Sequence, residues 1–319
     1  MSAGRILQRI LILGVTLTLV VVNHVEVVRP AFLNWGATSN ERLMALPGDE
    51  IVEDAAAQST RAITIDAPAA AVWPWLAQLG QDRGGFYSFD LLENLVGCEM
   101  PTEDVPRPDK QQWRLGDKLW MYPSTKAGGI GFATLSAFDP GRVLGFATRM
   151  VGTPLNAPEN GSWTFVIQPI GTDSTRLLVR GRGSARPTML GVGFDSLIFD
   201  PIHFAMERRM LIGIKEVAET GARSRRENHT QTVLWAATFL MFLWASAQVV
   251  ARRNWRRPLL GLVAAAATFE MLTLLQPSPL VSLPFVIVVG VIVCRRKPRQ
   301  HASLAPIAGG HVGVMSGAR

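Results

Sequence analysis

The sequence predicts an α+β fold, a curved antiparallel sheet wrapped on a long C-terminal helix, with transmembrane helices on either side. Three observations predict it. Apolar, charge-free runs stand near the start and towards the end of the chain. Between them a strand and two short helices are followed by a series of strands set apart by turn residues. That series closes on a helix carrying an apolar stripe. A single helix laid across a sheet too curved to be filled by one layer of side chains leaves a cavity between the two.

The elements follow in order. Ile6 to Val22 comes after Arg5 and Arg9, carries no charge and is close to the ~20 residues that cross a membrane. The following "NHVEVVRPAFLNWG" holds no small-x-small cleavage pattern, so residues 1–30 are expected to be an uncleaved anchor. Residues 31–60 are expected to be a linker and 61–222 a single domain. "RAITID" alternates as a strand and stops at Ala67-Pro68. "AAAVWPWLAQLG" reads as a helix with Pro74 in its first turns and Gly80 as its stop. "QDRGG" turns the chain into a second helix, "FYSFDLLENLVG", and the proline-rich "EMPTEDVPRPDKQQ" is a loop. The strands "WRLGDKLWMYP", "GIGFATLSAFDP", "RVLGFATRM", "SWTFVIQPI" and "TRLLVRGRG" come next, with turns at Asp139-Pro140-Gly141 and Gly171-Thr172-Asp173. The closing helix, "IHFAMERRMLIGIKEVAE" after Pro201, carries Ile202, Met206, Met210, Ile214 and Val217 at near-helical spacing. Three more spans fill 233–294, at Val233–Ala251, Leu259–Leu275 and Leu280–Cys294, the last two joined through "QPSP" as a hairpin. Residues 295–319 are a tail.

Charge places the chain. The net charge is +7, but eight of the 32 basic residues sit in "RRNWRR" and "CRRKPR" beside the apolar runs, and 25 acidic residues balance the other 24. A nucleic-acid-binding surface is therefore not expected; the excess marks the inner side of a membrane. With both runs and Arg5 and Arg9 inside, four spans close with both termini cytoplasmic and the domain outside, as in a bacterial plasma membrane protein. Arg223, Arg225 and Arg226 fall on the outer side of that arrangement, in a long loop where the rule acts weakly. Two cysteines, Cys98 and Cys294, exclude a disulfide framework.

Several stretches resemble a known family: "NWGAT" at Asn34, "LPGDE" at Leu46, "STRAITIDAP" at Ser59, "VWPWLAQLG" at Val72, "RGGFYSFDLLEN" at Arg83, "GSWTFVIQP" at Gly161, "TRLLVR" at Thr175 and "HFAMERRMLIGIKEVAE" at His203. With the order of elements, they resemble the SRPBCC superfamily, the helix-grip fold of START lipid-transfer domains, Bet v 1 and polyketide cyclases. More narrowly they resemble its bacterial membrane-attached members. The resemblance covers about half the chain and implies the fold. That fold hosts carriers, cyclases and hydrolases alike, and no shared catalytic set carries over.

The chemistry-bearing residues are then weighed singly. "GQDRGG" lies between two helices and lacks the strand before it that a phosphate loop needs, so Gly84 and Gly85 read as a tight turn. Arg83, Asp90 and Glu93 read as local ion pairs or capping charges, the alternative being a polar site at the cavity mouth. His203 and Glu207, one turn apart, read as a solvent-side contact, the alternative being an acid–base pair facing the cavity. Arg180 and Arg182 alternate with Leu177 and Val179 and are expected in solvent. Glu270 stands inside the third span, where a carboxylate is costly, and is expected to have a role or to reach interfacial water. No histidine has a partner at metal-ligand spacing, no G-x-S-x-G occurs, and neither metal nor cofactor is expected.

The sequence thus points to a membrane-anchored domain binding a hydrophobic or amphipathic small molecule: a lipid, isoprenoid or polyketide-like compound. Trp75, Tyr87, Trp163, Phe165, Met206 and Met210 are the candidate ligand-binding residues, aromatic or polarisable side chains expected to face the cavity. Gly213, beside the two methionines, is expected to leave room there. Two alternatives remain at this point, a cyclase or dehydratase acting on such a ligand and a structural or sensory protein whose cavity has closed.

Overall fold

The computed structural model describes residues 3–101, 103–126, 131–150, 153, 157–186 and 188–294. The expected tail, 295–319, and with it the second arginine run, lies outside the described residues.

Helix α1 (Ala3–Asn23) continues through a π turn, His24–Val28, into α2 (Arg29–Leu33). Short helix α3 (Ser39–Leu43) starts with Thr38 and Glu41 in a reciprocal capping box. Then come β1 (Ala57–Ile65), α4 (Ala69–Ala77), α5 (Asp90–Leu95), β2 (Lys118–Trp120), β3 (Phe132–Asp139), β4 (Val143–Thr148), β5 (Gly161–Ile170) and β6 (Ser174–Gly183). Helix α6 (Met189–Phe194) runs through a second π turn, Asp195–Phe199, into α7 (Asp200–Thr220). Helices α8 (Arg225–Ala251), α9 (Arg256–Leu275) and α10 (Pro279–Cys294) end the described chain.

The six strands form one antiparallel sheet in the order β1-β6-β5-β4-β3-β2, and α7 crosses its concave side. This is the predicted helix-grip arrangement. Strands β5 and β6 form a ten-pair hairpin about Gly171, whose φ of +63° suits a residue without Cβ. A register shift between Leu135 and Ala137 bends β3 against β4. Along β1, Arg61, Ile63 and Ile65 point inward, while Thr60 and Ala62 face the convex side.

One half of the concave side is filled. Ile65, Phe146, Phe165, Ile167, Leu177 and Val179 of the sheet pack on Val72, Trp75, Leu76 and Leu79 near α4 and on Met210, Leu211, Ile214 and Val217 of α7. Each such side chain contributes roughly 1.5–3 kcal/mol through burial. Ile202, expected in the same stripe, is 55% exposed, because it lies on the side of α7 turned from the sheet, beside Gln231, Trp235 and Gln276.

The convex side is covered by the stretch expected to be a linker. Leu46 packs with Ala62, Val166 and Leu178. Arg180, expected in solvent, is buried: it pairs with Asp49 at 2.7 Å and donates to the carbonyls of Met44 and Glu41 and to Thr60 Oγ1. Arg182 donates to the Asp49 carbonyl. Their outward phase was read correctly, but residues 41–53 fold over that face.

Three helices, Ala3–Leu33, Arg225–Ala251 and Arg256–Leu275, are long and apolar enough to cross a membrane. The fourth expected span, α10, is a shorter apolar helix of 16 residues. Ala245, Val249, Leu262, Ala265, Val289 and Val293 join α8, α9 and α10, with Leu13 and Leu17 of α1 against them. Arg9 donates to the carbonyls of Val250, Arg252 and Arg253 and so caps the end of α8. The chain start and "RRNWRR" therefore share one end of the bundle. Glu270 has a protein partner, His24 Nδ1 at 2.6 Å, and His24 Nε2 lies 3.2 Å from the Ser196 carbonyl.

Candidate functional site

The other half of the concave side is open. Along β6 the inward positions Leu177 and Val179 give way to Gly181 and Gly183, so the sheet loses its side chains there. The first turns of α7, α2 and the π turn before α7 roof the space without filling it. The result is a cavity of about 870 Å³, within the size range of small-molecule sites. It answers the closed-cavity alternative: the space has not closed. Phe86, Phe132 and Trp163 supply aromatic wall, and Met100, Met121, Met150, Met206 and Met210 also line it. Five of the chain's 11 methionines thus meet at one cavity. Flexible thioether side chains suit ligands of irregular shape.

Of the six candidate residues, Trp163, Met206 and Met210 line the cavity. Trp75, Tyr87 and Phe165 do not. They lie in the packed half, with Trp75 edge-on to Tyr87 at 5.9 Å between ring centroids. Phe165 is on the same face of β5 as Trp163, two residues further under α4 and the core.

A polar cluster is set into the apolar wall. Arg61 Nη1 donates to Glu207 Oε1 at 2.6 Å, and Trp163 Nε1 donates to Glu207 Oε2 at 2.7 Å. Arg61 Nε donates to the Phe32 carbonyl at 2.8 Å, and Phe32 stacks on Phe204. His203 Nε2 stands 3.7 Å from Glu207 Oε2. His203 and Glu207 thus face the cavity together, not solvent; the stripe of α7 is wide enough to bring both round to the sheet. Burial opposes ionisation of Glu207, and Arg61, His203 and the two donated hydrogen bonds outweigh it, holding the carboxyl below its ordinary value. Burial pushes the His203 imidazole down, with Glu207 acting against it. His203 has no hydrogen bond among the described residues, and its ring stacks on Phe199. It is a neutral imidazole with free nitrogens in the cavity wall. Sequence reasoning missed Arg61, although a charged residue in phase with Ile63 and Ile65 on a strand was visible.

Glu93 lines the cavity as well. Burial, then the charge of Asp90, pushes its carboxyl up to about 8, with Arg223 opposing. It is protonated at neutral pH and able to donate a hydrogen bond. Arg83, weighed with it, is elsewhere: its guanidinium lies 3.6 Å from the Trp113 ring centroid and donates to the carbonyls of Lys110 and Gln112. Asp90 pairs with Arg223. Gly84 and Gly85 form the tight turn, closed by reciprocal bonds between Gly80 and Gly85. Among the described residues no cluster of three or more metal-ligating acids, histidines or cysteines occurs.

The Glu93 shift sets a pH dependence. Between about pH 6.5 and 8 the unfolded chain carries Glu93 ionised, while the folded chain keeps it protonated. Folding then takes up a proton, and stability falls as pH rises, with a slope approaching about 1.4 kcal/mol per pH unit. Glu207 is ionised in both states there. His203, held down in the fold, sheds a proton on folding near pH 6.5, where the unfolded imidazole is half protonated, and this opposes the fall; the Glu93 slope is therefore read from about pH 7.5 to 8. Denaturant melts of Glu93→Gln across this range are expected to be flat and more stable than the parent at pH 8. An unchanged slope would remove Glu93 as its source.

No family model matches the chain, and no curated protein matches it. Among solved structures, a protein of Mesorhizobium loti is similar at 14% identity over 50% of this chain and 96% of its own, with a TM-score of 0.29. A Polyketide_cyc-like protein of Corynebacterium glutamicum is similar at 14% identity over 51% of this chain and 91% of its own, with a TM-score of 0.22.

Proposed function

We propose that the protein is a membrane-anchored binder of an amphipathic, mostly apolar small molecule. The observation that carries this is a large cavity walled by methionine and aromatic side chains, with ionisable side chains, among them Arg61, Glu93, Arg149, Arg182, His203 and Glu207, set into the same wall. Apolar wall gives affinity, and the polar groups fix orientation. A ligand hydroxyl, carbonyl or carboxyl would meet His203, whose ring nitrogens make no hydrogen bond among the described residues.

The test is Met206→Trp with a fluorescent apolar probe, 1-anilinonaphthalene-8-sulfonate, and a thermal melt of the detergent-solubilised full chain. In a filled core the larger ring would cost about 1–3 kcal/mol through strain. In the cavity the indole has room, so stability should stay within about 1 kcal/mol of the parent while probe affinity falls severalfold. A large stability loss, with no saturable probe binding by the parent, would end this reading.

A second reading has its own observation. Glu93, kept protonated, and His203, kept neutral, line one cavity, which is the pairing that proton transfer to and from a bound ligand needs. A cyclase or dehydratase of such a ligand would lose turnover in Glu93→Gln and keep binding.

The orientation proposed from the arginine runs has four spans, both termini in the cytoplasm and the domain outside it. A reporter active only outside the cytoplasm is expected to be active when fused after Arg226 and silent after Arg257. The opposite pattern would place the domain in the cytoplasm.

A further inference from the structure

We propose that Met189–Phe199 lies in the surface of the bilayer beside α1, and that the cavity takes its ligand sideways from the membrane at that point. The inference rests on the membrane and ligand-binding reading above and names the ligand's source, a bilayer amphiphile.

The first observation is surface. Met189 is 85% exposed, Leu190 87%, Ile198 49% and Leu197 40%, on one helical segment that nothing among the described residues covers. A contiguous apolar patch of this kind marks an interaction site. The second is continuity with a membrane helix. Ala3–Leu33 is 31 residues long, about 46 Å at 1.5 Å per residue, whereas a bilayer core is about 30 Å. Its excess lies at the domain end, and there it meets the exposed segment. His24 Nε2 is 3.2 Å from the Ser196 carbonyl, and Arg29 pairs with Asp200 at 2.7 Å. The two π turns, each preceding an X-Pro pair (Arg29-Pro30 and Asp200-Pro201), thus lie side by side. Each absorbs the hydrogen bond that proline cannot make.

The third observation joins this surface to the cavity. Arg29, Leu33, Asp195, Phe199 and Asp200 belong to these two turns or adjoin them, and all line the cavity. One helical segment therefore has Phe199 and Asp195 inside and Leu190 and Ile198 outside. Between them stand two ion pairs, Arg29–Asp200 and Arg186–Asp195, at the level where lipid headgroups would lie. An amphiphile sliding from the bilayer would pass its chain along the apolar edge and its polar end past paired charges, never entering bulk water.

The experiment uses the full chain in phosphatidylcholine vesicles, in a Cys294→Ser background, since Cys98 is buried. Leu190→Cys carries a bimane label, and lipids brominated on the acyl chain act as quencher. Quenching is expected to match that of a label at Leu19→Cys on the exposed face of α1 and to exceed severalfold that at Leu115→Cys. A label open to aqueous iodide, or shielded from both iodide and lipid as by a protein partner, overturns the placement. The second arm follows a dansyl fatty acid into the cavity. Met189→Asp combined with Leu190→Asp should slow uptake from vesicles at least tenfold and leave uptake from detergent micelles unchanged. Unchanged uptake from vesicles overturns the access route. A quenched label with no probe uptake by the parent from either source overturns the route through failure of ligand binding, while the placement stands.

Discussion

Glu207→Ala is expected to destabilise the protein by about 3–5 kcal/mol, the cost of leaving one member of a buried ion pair without its partner. The side chains of Arg61 and Glu207 are 1% and 2% exposed, so bulk water does not take over the lost contact. Truncation leaves the Arg61 guanidinium with the Phe32 carbonyl and the face of the Phe204 ring, 5.3 Å from its centroid. It also leaves the Trp163 N–H without its acceptor. Glu207→Gln keeps a carbonyl oxygen for one of these donors and should fall between the parent and alanine. Replacing both charges, Arg61→Met with Glu207→Leu, should recover much of the loss, because no unpaired charge then remains. Denaturant unfolding in detergent measures all four proteins. Alanine within about 1 kcal/mol of the parent would mean that cavity water solvates Arg61, and the cluster would not be a structural element of the wall.

The same cluster ties the membrane helix to the domain. Phe32 is fully buried, stacked on Phe204, and its carbonyl holds Arg61. A substitution in the cavity wall therefore acts on the docking of α2, and the loss from Glu207→Ala should be larger than a domain-only reckoning gives.

How much of this was legible follows from which signals are local. Alternation in "RAITID" and "TRLLVRGRG", the turn at Asp139-Pro140-Gly141 and the stripe of Met210, Ile214 and Val217 are properties of neighbouring residues, and they predict the sheet and its crossing helix correctly. The face of Arg180 was legible from the same alternation. Its burial was not, because the cover comes from residues 41–53, and Asp49 has no periodic signal linking it to β6. The open half of the sheet was within reach: Leu177, Val179, Gly181 and Gly183 share one face, and the change from large to absent side chains marks where filling stops. The division of the aromatic residues was out of reach. Trp75, Tyr87 and Trp163 look alike as residue types, and only the placement of α4 decides that the first two are packed and the third borders the cavity. Helix ends misled at the second helix of the domain. Tyr87 takes a φ of +55°, so the second helix starts at Asp90 instead of Phe86.

Gly213→Ala is expected to cost far more than a methyl added at a helix glycine with open space beside it. The sequence suggested that the missing side chain left room for a ligand. Instead the main chain of Tyr87 occupies that room: a Cβ on residue 213 would stand 2.2 Å from the Tyr87 carbonyl oxygen and 2.8 Å from its Cβ. Neither atom is the free end of a side chain, so α7 or the 86–89 segment must move. Tyr87 is already in the left-handed region that non-glycine residues rarely adopt. Its ring is fixed against Trp75, and Ser88 beside it donates to the Met206 carbonyl of α7. Overpacking of this kind costs about 1–3 kcal/mol and more where backbone must shift, and the upper end is expected here. Helix propensity acts the other way by roughly 1 kcal/mol in favour of alanine, so the observed loss is net of that gain. Gly193→Ala supplies the comparison, for it makes the same change in helix α6 with nothing within 4 Å of the new methyl. It should be neutral or slightly stabilising. Thermal melts of the two variants beside the parent decide the matter: equal, small effects at both positions would show that α7 does not rest on the Tyr87 corner.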